Sequence, residues 1–156
     1  MNTNQNLTIY IDGDSFPNSL KRILVSAVIR LNLSMVVVSN QLTSIDTSDQ
    51  ITHIIVPEGP DQADDRIVDM VKKDDLVITA DIPLADRVIS KKAYVIDHRG
   101  GVFNEANIAG LLATRRIMES MRESGVQTPG PEPFSSKHSQ GFANQLNNFL
   151  TKRLKT

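Results

Sequence analysis

Short apolar runs alternate with amphipathic stretches along residues 7–101. The runs are rich in valine, isoleucine and leucine, which predicts buried strands at 7–11, 35–38, 51–56, 76–78 and 94–96. Between these runs, apolar residues recur every three or four positions, which predicts helices after Pro17, within 61–73 and after Pro83. Strands that alternate with helices imply right-handed crossovers and a mostly parallel sheet. The pattern therefore predicts a three-layer α/β fold.

The second part of the chain has a different pattern. Apolar residues at helical spacing predict a long helix over 108–121 and a terminal amphipathic helix near 142–150. The segment between them, 124–138, contains several prolines and glycines and is predicted to be a linker. No further strand is predicted. We expect residues 102–156 to form a helical extension that packs on the α/β core, within one domain that spans residues 1–156.

Composition narrows the class of protein without naming a partner. The 156 residues are 40% hydrophobic, which suits one globular domain, and the net charge of -1 gives no overall basic field for nucleic acid. There is no cysteine, so disulfides and thiolate zinc sites are excluded. The start of the chain lacks a signal-like apolar segment, and no segment has membrane-spanning length. We expect a cytoplasmic protein without a membrane partner; its oligomeric state is left open.

Acidic residues follow two strands of the predicted sheet. Asp12 and Asp14 come at the end of the first strand, and Asp81 follows the fourth. In open α/β sheets, ligands bind beyond the carboxyl ends of the strands. Asp61 and Asp64 lie three residues apart on a predicted helix that can bring them to the same edge. We therefore predict that these five carboxylates meet in one pocket.

This set of side chains has the chemistry of a magnesium or manganese site. Carboxylates are hard oxygen ligands, and Asn40, at the end of the second strand, adds an amide oxygen. The three histidines, His53, His98 and His138, are scattered and are predicted to be surface or turn residues. Crowded carboxylates raise one another's pKa, and a bound cation removes that penalty. We therefore predict Mg²⁺ or Mn²⁺ as the cofactor.

Two such ions, about 3.5–4 Å apart, can activate water and polarise a phosphodiester. The leading hypothesis is a metal-dependent nuclease that acts on RNA or single-stranded nucleic acid, with Asp12, Asp14, Asp64 and Asp81 as its catalytic residues. Asp61 is predicted to be an additional metal ligand.

Each carboxylate also has a purely structural interpretation. Asp14 or Ser15 is suited to cap the first helix and Asp81 the third, while Asp61 and Asp64 suit the positive end of a helix dipole. Capping does not explain why acids from several segments share one edge, so taken together they favour a site. Other acids nearby are predicted to be exposed to solvent: Asp65, Asp69, Asp74 and Asp75.

Candidate contacts to a nucleic-acid backbone lie on the long helix after residue 107. Arg115 and Arg116 are adjacent there, and we predict that they bind substrate phosphates, although a solvated helix face explains them equally well. Aromatic residues make up only 4% of the chain, so stacking platforms for bases are scarce.

Several short motifs carry a family resemblance. They are IDGDSFPN at 11–18, SN at 39–40, GPDQADD at 59–65, DLVITADIPLA at 75–85, HRGG at 98–101 and RESGVQTPGP at 122–131. With these motifs the chain resembles the YaiI/YqxD family of uncharacterised bacterial proteins, whose members look like PIN-type nucleases. The ITADIPLA segment is the most specific of them.

The resemblance implies a PIN-like fold with the acidic site at the five aspartates named above and Asn40 nearby. The chain departs from the family pattern in three places. Gly13, Ser15 and Phe16 stand where the family usually reads IDADACP, Pro129 replaces a glycine, and His138 stands where an acidic residue is usual. The departures at Pro129 and His138 concern the C-terminal segment and leave the acidic cluster unchanged.

Two other functions fit the same residues. One is a haloacid-dehalogenase-like phosphatase, with Asp12 as the nucleophile, Asp14 as the general acid, and Asp81 and Asp86 as its late acids. Against it, Phe16 occupies a place where that motif usually has threonine or valine. The other is a module that binds metal or nucleotide without turnover, which the near-neutral charge favours.

Overall fold

The computed structural model describes residues 7–43, 45, 48–130 and 132–154. Its strands are β1 (Thr8–Asp12), β2 (Ser34–Ser39), β3 (Ile51–Ile55), β4 (Leu76–Ile78), β5 (Tyr94–Ile96) and β6 (Val102–Phe103). Its helices are α1 (Asn18–Arg30), α2 (Gln62–Met70), α3 (Ile82–Ser90), α4 (Ile108–Glu123) and α5 (Ser136–Leu154). Among these described residues, no helix is long and apolar enough to cross a membrane.

The strands form one sheet in the order β3-β2-β1-β4-β5-β6. The first five are parallel, as predicted, and β6 pairs antiparallel with β5 at the edge. The sequence pattern did not predict β6. This strand has only two residues, which is too short for any apolar period, and it forms because the chain turns back at Asp97 and Gly101, whose backbones hydrogen-bond at 2.9 Å.

Apolar side chains cover both faces of the sheet. On one face, Leu20 and Leu24 of α1 pack with Phe142 and Leu146 of α5. On the other face, Ile67 of α2, Leu84 of α3 and Ile108 of α4 form a second cluster. Helices thus lie on each side of a mostly parallel sheet, which confirms the predicted three-layer α/β fold and its C-terminal helices.

The last helix begins inside the segment that was predicted to be a linker. The backbone N–H of Ser135 donates to Nδ1 of His138 at 3.0 Å, and the N–H of His138 donates to the carbonyl of Ser135. A side chain at the third helical position that accepts from the capping residue's N–H is half of a capping box, a role that glutamate or glutamine usually fills. His138 is therefore a buried helix-start residue, and the prediction of a surface or turn position was wrong.

Asp75 also differs from its predicted exposure. Only 5% of the residue is accessible, and its carboxylate accepts hydrogen bonds from the backbone N–H groups of Thr8 at 3.1 Å and Lys72 at 2.9 Å. Burial, followed by the charge of Asp75, raises the pKa of Tyr10 to about 12. Asp75 thus joins the start of β1 to the end of the α2 segment.

We expect Asp75→Ala to lower the free energy of unfolding by about 2 kcal/mol, because two N–H donors lose their acceptor. Chemical denaturation measures this change, and an alkaline titration should show Tyr10 ionising at lower pH. Asp69→Ala, on the exposed side of α2, is the control and should change stability by less than about 0.5 kcal/mol. Equal effects of the two substitutions would contradict the structural role of Asp75.

Candidate functional site

The sheet has one point where the order of its strands reverses. From β1 the chain proceeds to β2 and β3 on one side, and it then returns to place β4 and β5 on the other side of β1. Above such a point, the carboxyl ends of the strands leave a crevice that binds ligands in open α/β sheets. In this protein, a cavity of about 640 Å³ lies at that point of the sheet. All five predicted acids line it: Asp12, Asp14, Asp61, Asp64 and Asp81.

The turn after β1 fixes two of these acids. Oδ1 of Asp12 accepts the backbone N–H of Asp14 at 2.9 Å, and Oδ2 of Asp14 accepts the backbone N–H of Asn40 at 2.7 Å. Between them, the N–H of Gly13 donates to the carbonyl of Val38 on β2. A Cβ atom at Gly13 would lie 2.7 Å from a methyl group of Val37, so glycine allows this turn to lie against β2.

The hydrogen bonds test the capping interpretations of these acids. The residue before α1 is Pro17, which provides no side-chain cap, so Asp14 is not a helix cap. Oδ1 of Asp81 accepts the N–H of Leu84 at 2.9 Å and does cap α3. Asp81 therefore combines a structural role with a place in the cavity wall.

The start of α2 supplies the other two acids. Asp61 directly precedes the helix with a left-handed backbone conformation (φ 63°), and Asp64 lies in the first turn. Burial, followed by the charges of Asp81, Asp12 and Asp61, raises the pKa of Asp64 to about 6. The carboxylates of three chain segments are therefore close enough to repel one another.

Like that of Asp64, the pKa of Asp12 is raised. Its pKa is raised mainly by burial; the charge of Asp14 raises it further, whereas the N–H groups of Asp14 and Ser15 lower it. Such a crowded set of carboxylates favours the binding of protons or cations.

The donor set suits a hard divalent cation, because it offers carboxylate oxygens and the amide of Asn40, which also lines the cavity. In the described part of the chain, no three acidic or histidine side chains are grouped closely enough to hold one ion as they stand. Binding an ion would therefore require carboxylates to rotate toward a common point.

Basic side chains lie outside the cavity. No lysine or arginine is found among the described residues that line it. Arg115 and Arg116 are on α4, where Arg115 pairs with Glu119 at 3.3 Å, so their predicted contact with substrate stays a prediction. Asp65 is exposed, as predicted, and its carboxylate pairs with Arg87 at 2.8 Å.

His98 is a cavity residue that the sequence analysis did not assign to the site. It lies in the turn two residues after β5, and its ring packs edge-on against Phe16 at 5.4 Å. Burial, as the largest cause, lowers the pKa of His98, which favours the neutral imidazole. Its place just beyond a strand end, within the HRGG motif, was the available signal.

His53, by contrast, lies in β3 with both ring nitrogens buried, so its prediction as a surface or turn residue was wrong.

Comparison with known proteins places the chain in a family. The family model described as the uncharacterised YaiI/YqxD family matches residues 10–152. A "UPF0178 protein" of Sulfurimonas denitrificans is 54% identical over 148 residues, which cover 95% of this chain and 98% of the relative. One from Sulfurovum sp. (strain NBC37-1) is 53% identical over 146 residues, which cover 94% and 99%. No solved structure matches the chain. The chain belongs to the YaiI/YqxD family.

Proposed function

We propose that the protein is a divalent-metal-dependent phosphodiesterase of PIN-like type that cleaves RNA or single-stranded nucleic acid. The observation that carries this proposal is the convergence of five carboxylates, from the end of β1 and the turn after it, the start of α2 and the start of α3, on one cavity at the switch point of the sheet. Capping accounts for only one of them, Asp81. The resemblance of its motifs to PIN-type nucleases supports the same assignment.

The electrostatics of the cavity favour cation-dependent binding of an anionic substrate. A phosphate group that enters a wall of carboxylates is repelled unless positive charge enters with it. Since no described lysine or arginine lines the cavity, that charge must come from bound cations. Substrate binding should therefore depend on Mg²⁺ or Mn²⁺.

The bound ions would polarise the phosphodiester and lower the pKa of an attacking water. Asp12, Asp14, Asp64 and Asp81 would hold them, and Asp61 would bind directly or through water. Oδ2 of Asp14 accepts the backbone N–H of Asn40 at 2.7 Å, which holds Asn40 beside the turn after β1, so its side-chain amide is suited to orient water or a phosphate oxygen.

Cleavage tests this proposal. The purified protein is incubated with Mn²⁺ or Mg²⁺ and short RNA, single-stranded DNA or duplex DNA, and a phosphomonoester is tested separately. We expect metal-dependent cleavage of a single-stranded substrate, and a loss of activity on the order of a hundredfold in Asp14→Asn. Asp65→Asn is the matched control, because Asp65 lies outside the cavity on the same α2 helix as Asp64 and should keep full activity.

The outcomes separate the three candidate functions. Turnover of only the phosphomonoester would support the phosphatase and contradict the nuclease. A metal-dependent rise in melting temperature without cleavage of any substrate would support the binding module. Equal activity of Asp14→Asn and the parent protein would show that the active site lies elsewhere.

A further inference from the structure

The wall of the cavity contains a nitrogen donor that packing holds in place. Of the described side chains that line the cavity, three carry an N–H group: Asn40, Gln62 and His98. Asn40 and Gln62 are exposed, whereas His98 is half-buried and its ring packs edge-on against Phe16 at 5.4 Å. A side chain that is already held loses little rotamer entropy when a ligand binds to it. His98 is therefore the lining donor that is best prepared for a ligand.

The backbone of the loop that carries His98 is also held. Oδ1 of Asp97 accepts the backbone N–H of Arg99 at 2.8 Å. Gly100 has a left-handed backbone conformation (φ 95°), and a Cβ atom built there would collide with the carbonyl oxygen of Gly141 on α5. Glycine thus allows the loop to lie directly against α5. The start of α5 therefore fixes the loop, and with it the position of His98.

The ring nitrogens of His98 are available to a ligand. In the described part of the chain, no hydrogen bond involves this ring, and neither of its nitrogens is shut off from solvent. The ring of His138, by contrast, is used within the protein, since its Nδ1 accepts the N–H of Ser135 at 3.0 Å. Burial lowers the pKa of His98, which favours the form with one N–H donor and one acceptor nitrogen. His98 thus combines a fixed position with unused capacity for hydrogen bonding.

His98 and the carboxylates of α2 reach the cavity from opposite faces of the sheet. Phe16, against which the ring packs, belongs to the apolar cluster on the face covered by α1 and α5. Asp61 and Asp64 come from the start of α2, whose Ile67 belongs to the cluster on the other face. Ionised carboxylates only accept hydrogen bonds, so a phosphate oxygen that no cation contacts needs a separate donor. The imidazole is placed to supply that donor from the side away from α2.

We propose that His98 is a substrate-binding residue whose imidazole N–H donates a hydrogen bond to a non-bridging oxygen of the bound phosphodiester. This inference rests on the proposed function, which assigns the phosphate to the cavity. It adds no metal ligand, because the cations stay with the carboxylates. A hydrogen bond made equally in the bound substrate and in the transition state lowers KM and leaves kcat unchanged. Loss of a hydrogen bond to a charged oxygen should therefore weaken binding about 10–100-fold.

Binding and cleavage of one probe test this role. The probe is a short fluorescein-labelled single-stranded oligonucleotide, prepared as RNA and as DNA, and mixed with the full chain in Mn²⁺. Fluorescence anisotropy, read before cleavage proceeds, gives its dissociation constant, and electrophoresis gives its cleavage rate. His98→Leu keeps an apolar side chain against Phe16 but has no donor, and we expect it to bind the probe about 10–100-fold more weakly.

Two conservative variants separate the lost donor from lost packing. The amides of His98→Asn and His98→Gln place an N–H near the positions of Nδ1 and Nε2, so one of the two should recover most of the lost binding. Gln140→Leu is the matched control, because Gln140 is an exposed N–H donor on α5 outside the cavity and its loss should leave binding unchanged. Equal binding by the parent and His98→Leu would overturn the proposal, as would equally weak binding by all three His98 variants.

The melting temperature with and without Mn²⁺ separates substrate binding from metal binding. His98→Leu should gain as much from Mn²⁺ as the parent does, because its carboxylates are intact. A smaller gain would make His98 a metal ligand and overturn the proposal.

The outcomes also separate this inference from the proposed function. A parent that cleaves the probe while His98→Leu binds it equally well would keep the phosphodiesterase and overturn the role of His98. A parent that binds the probe without cleaving it would contradict the phosphodiesterase, and the dissociation constants of the variants would still decide the role of His98. A parent that neither binds nor cleaves the RNA or the DNA would overturn both.

Discussion

Phe142→Ala is expected to lower the free energy of unfolding by about 3–5 kcal/mol. Phe142 is fully buried on α5, where its ring packs against Phe16 at 6.3 Å, within the cluster that joins α1 and α5 to the sheet. Removing a buried phenyl ring loses its transfer free energy and leaves a cavity, because the surrounding side chains relax only in part. Phe142 is among the largest fully buried side chains of the described residues.

Chemical denaturation followed by circular dichroism measures this change. Phe149→Ala is the matched control, since Phe149 lies two turns further along α5, is only partly buried and packs edge-on against Tyr94 at 5.2 Å. We expect it to cost less than half as much. We also expect one cooperative transition in both variants, as predicted for a single domain. If α5 melted separately and the rest of the protein stayed intact, the C-terminal helices would be an independent unit instead.

The sequence predicted most accurately the strands of the sheet and the residues at their carboxyl ends. The bounds of β4 and β5 agree with the prediction, because each is a short continuous apolar run, which in a mostly parallel sheet predicts a strand covered by helices. The positions of Asp12 and Asp81 followed from the same rule. Parallel strands share one carboxyl edge, and the two residues follow adjacent strands, so no side-chain detail was needed to bring them to one cavity.

Features that depend on particular hydrogen bonds and ring contacts could not be predicted from the apolar pattern. From the sequence, Asp75 was predicted to lie in an exposed acidic turn. In the structure, its carboxylate is buried and accepts hydrogen bonds from the N–H groups of Thr8 and Lys72. His138 was predicted to lie in a linker. In the structure, it accepts a hydrogen bond from the N–H of Ser135 at the start of α5. The position of His98 beyond a strand end was an available signal for the site, but the packing of its ring against Phe16 could not be predicted. In each case the partner lies outside the pattern that local periodicity reveals.

In contrast to Phe142→Ala, Asp64→Asn is expected to stabilise the protein when no divalent cation is present. Asp64 in the folded protein is crowded by Asp81, Asp12 and Asp61, and this environment together with burial raises its pKa from 3.8 to about 6. Ionising the carboxylate at neutral pH therefore costs folding free energy, which the neutral amide avoids. Because the side chain is partly exposed, we discount the full linkage value for solvent screening and expect a gain of about 1 kcal/mol.

The pH dependence of this gain has a definite sign. Between pH 3.8 and about 6, the folded protein binds a proton at Asp64 that the unfolded chain has already released. The stabilising contribution of the protonated side chain is fully present below pH 3.8 and is lost as the pH rises through 6. Unfolding of the parent and of Asp64→Asn, measured in a chelator, should therefore give curves that diverge as the pH rises and meet at low pH.

Adding Mn²⁺ should reverse the order of the two proteins. A cation that binds only the native state stabilises it by about 2.7 kcal/mol at a hundredfold excess over its dissociation constant, and the repulsion around Asp64 then becomes attraction to the ion. We expect the parent to gain this amount and Asp64→Asn to gain much less, so that the variant changes from the more stable protein to the less stable one. Asp69→Asn, on the exposed side of the same helix, should follow the parent in both conditions.

A variant that gains as much from Mn²⁺ as the parent would remove Asp64 from the metal ligands. If neither Mn²⁺ nor Mg²⁺ raised the free energy of unfolding of the parent protein, the result would contradict both the metal site and the metal-dependent nuclease.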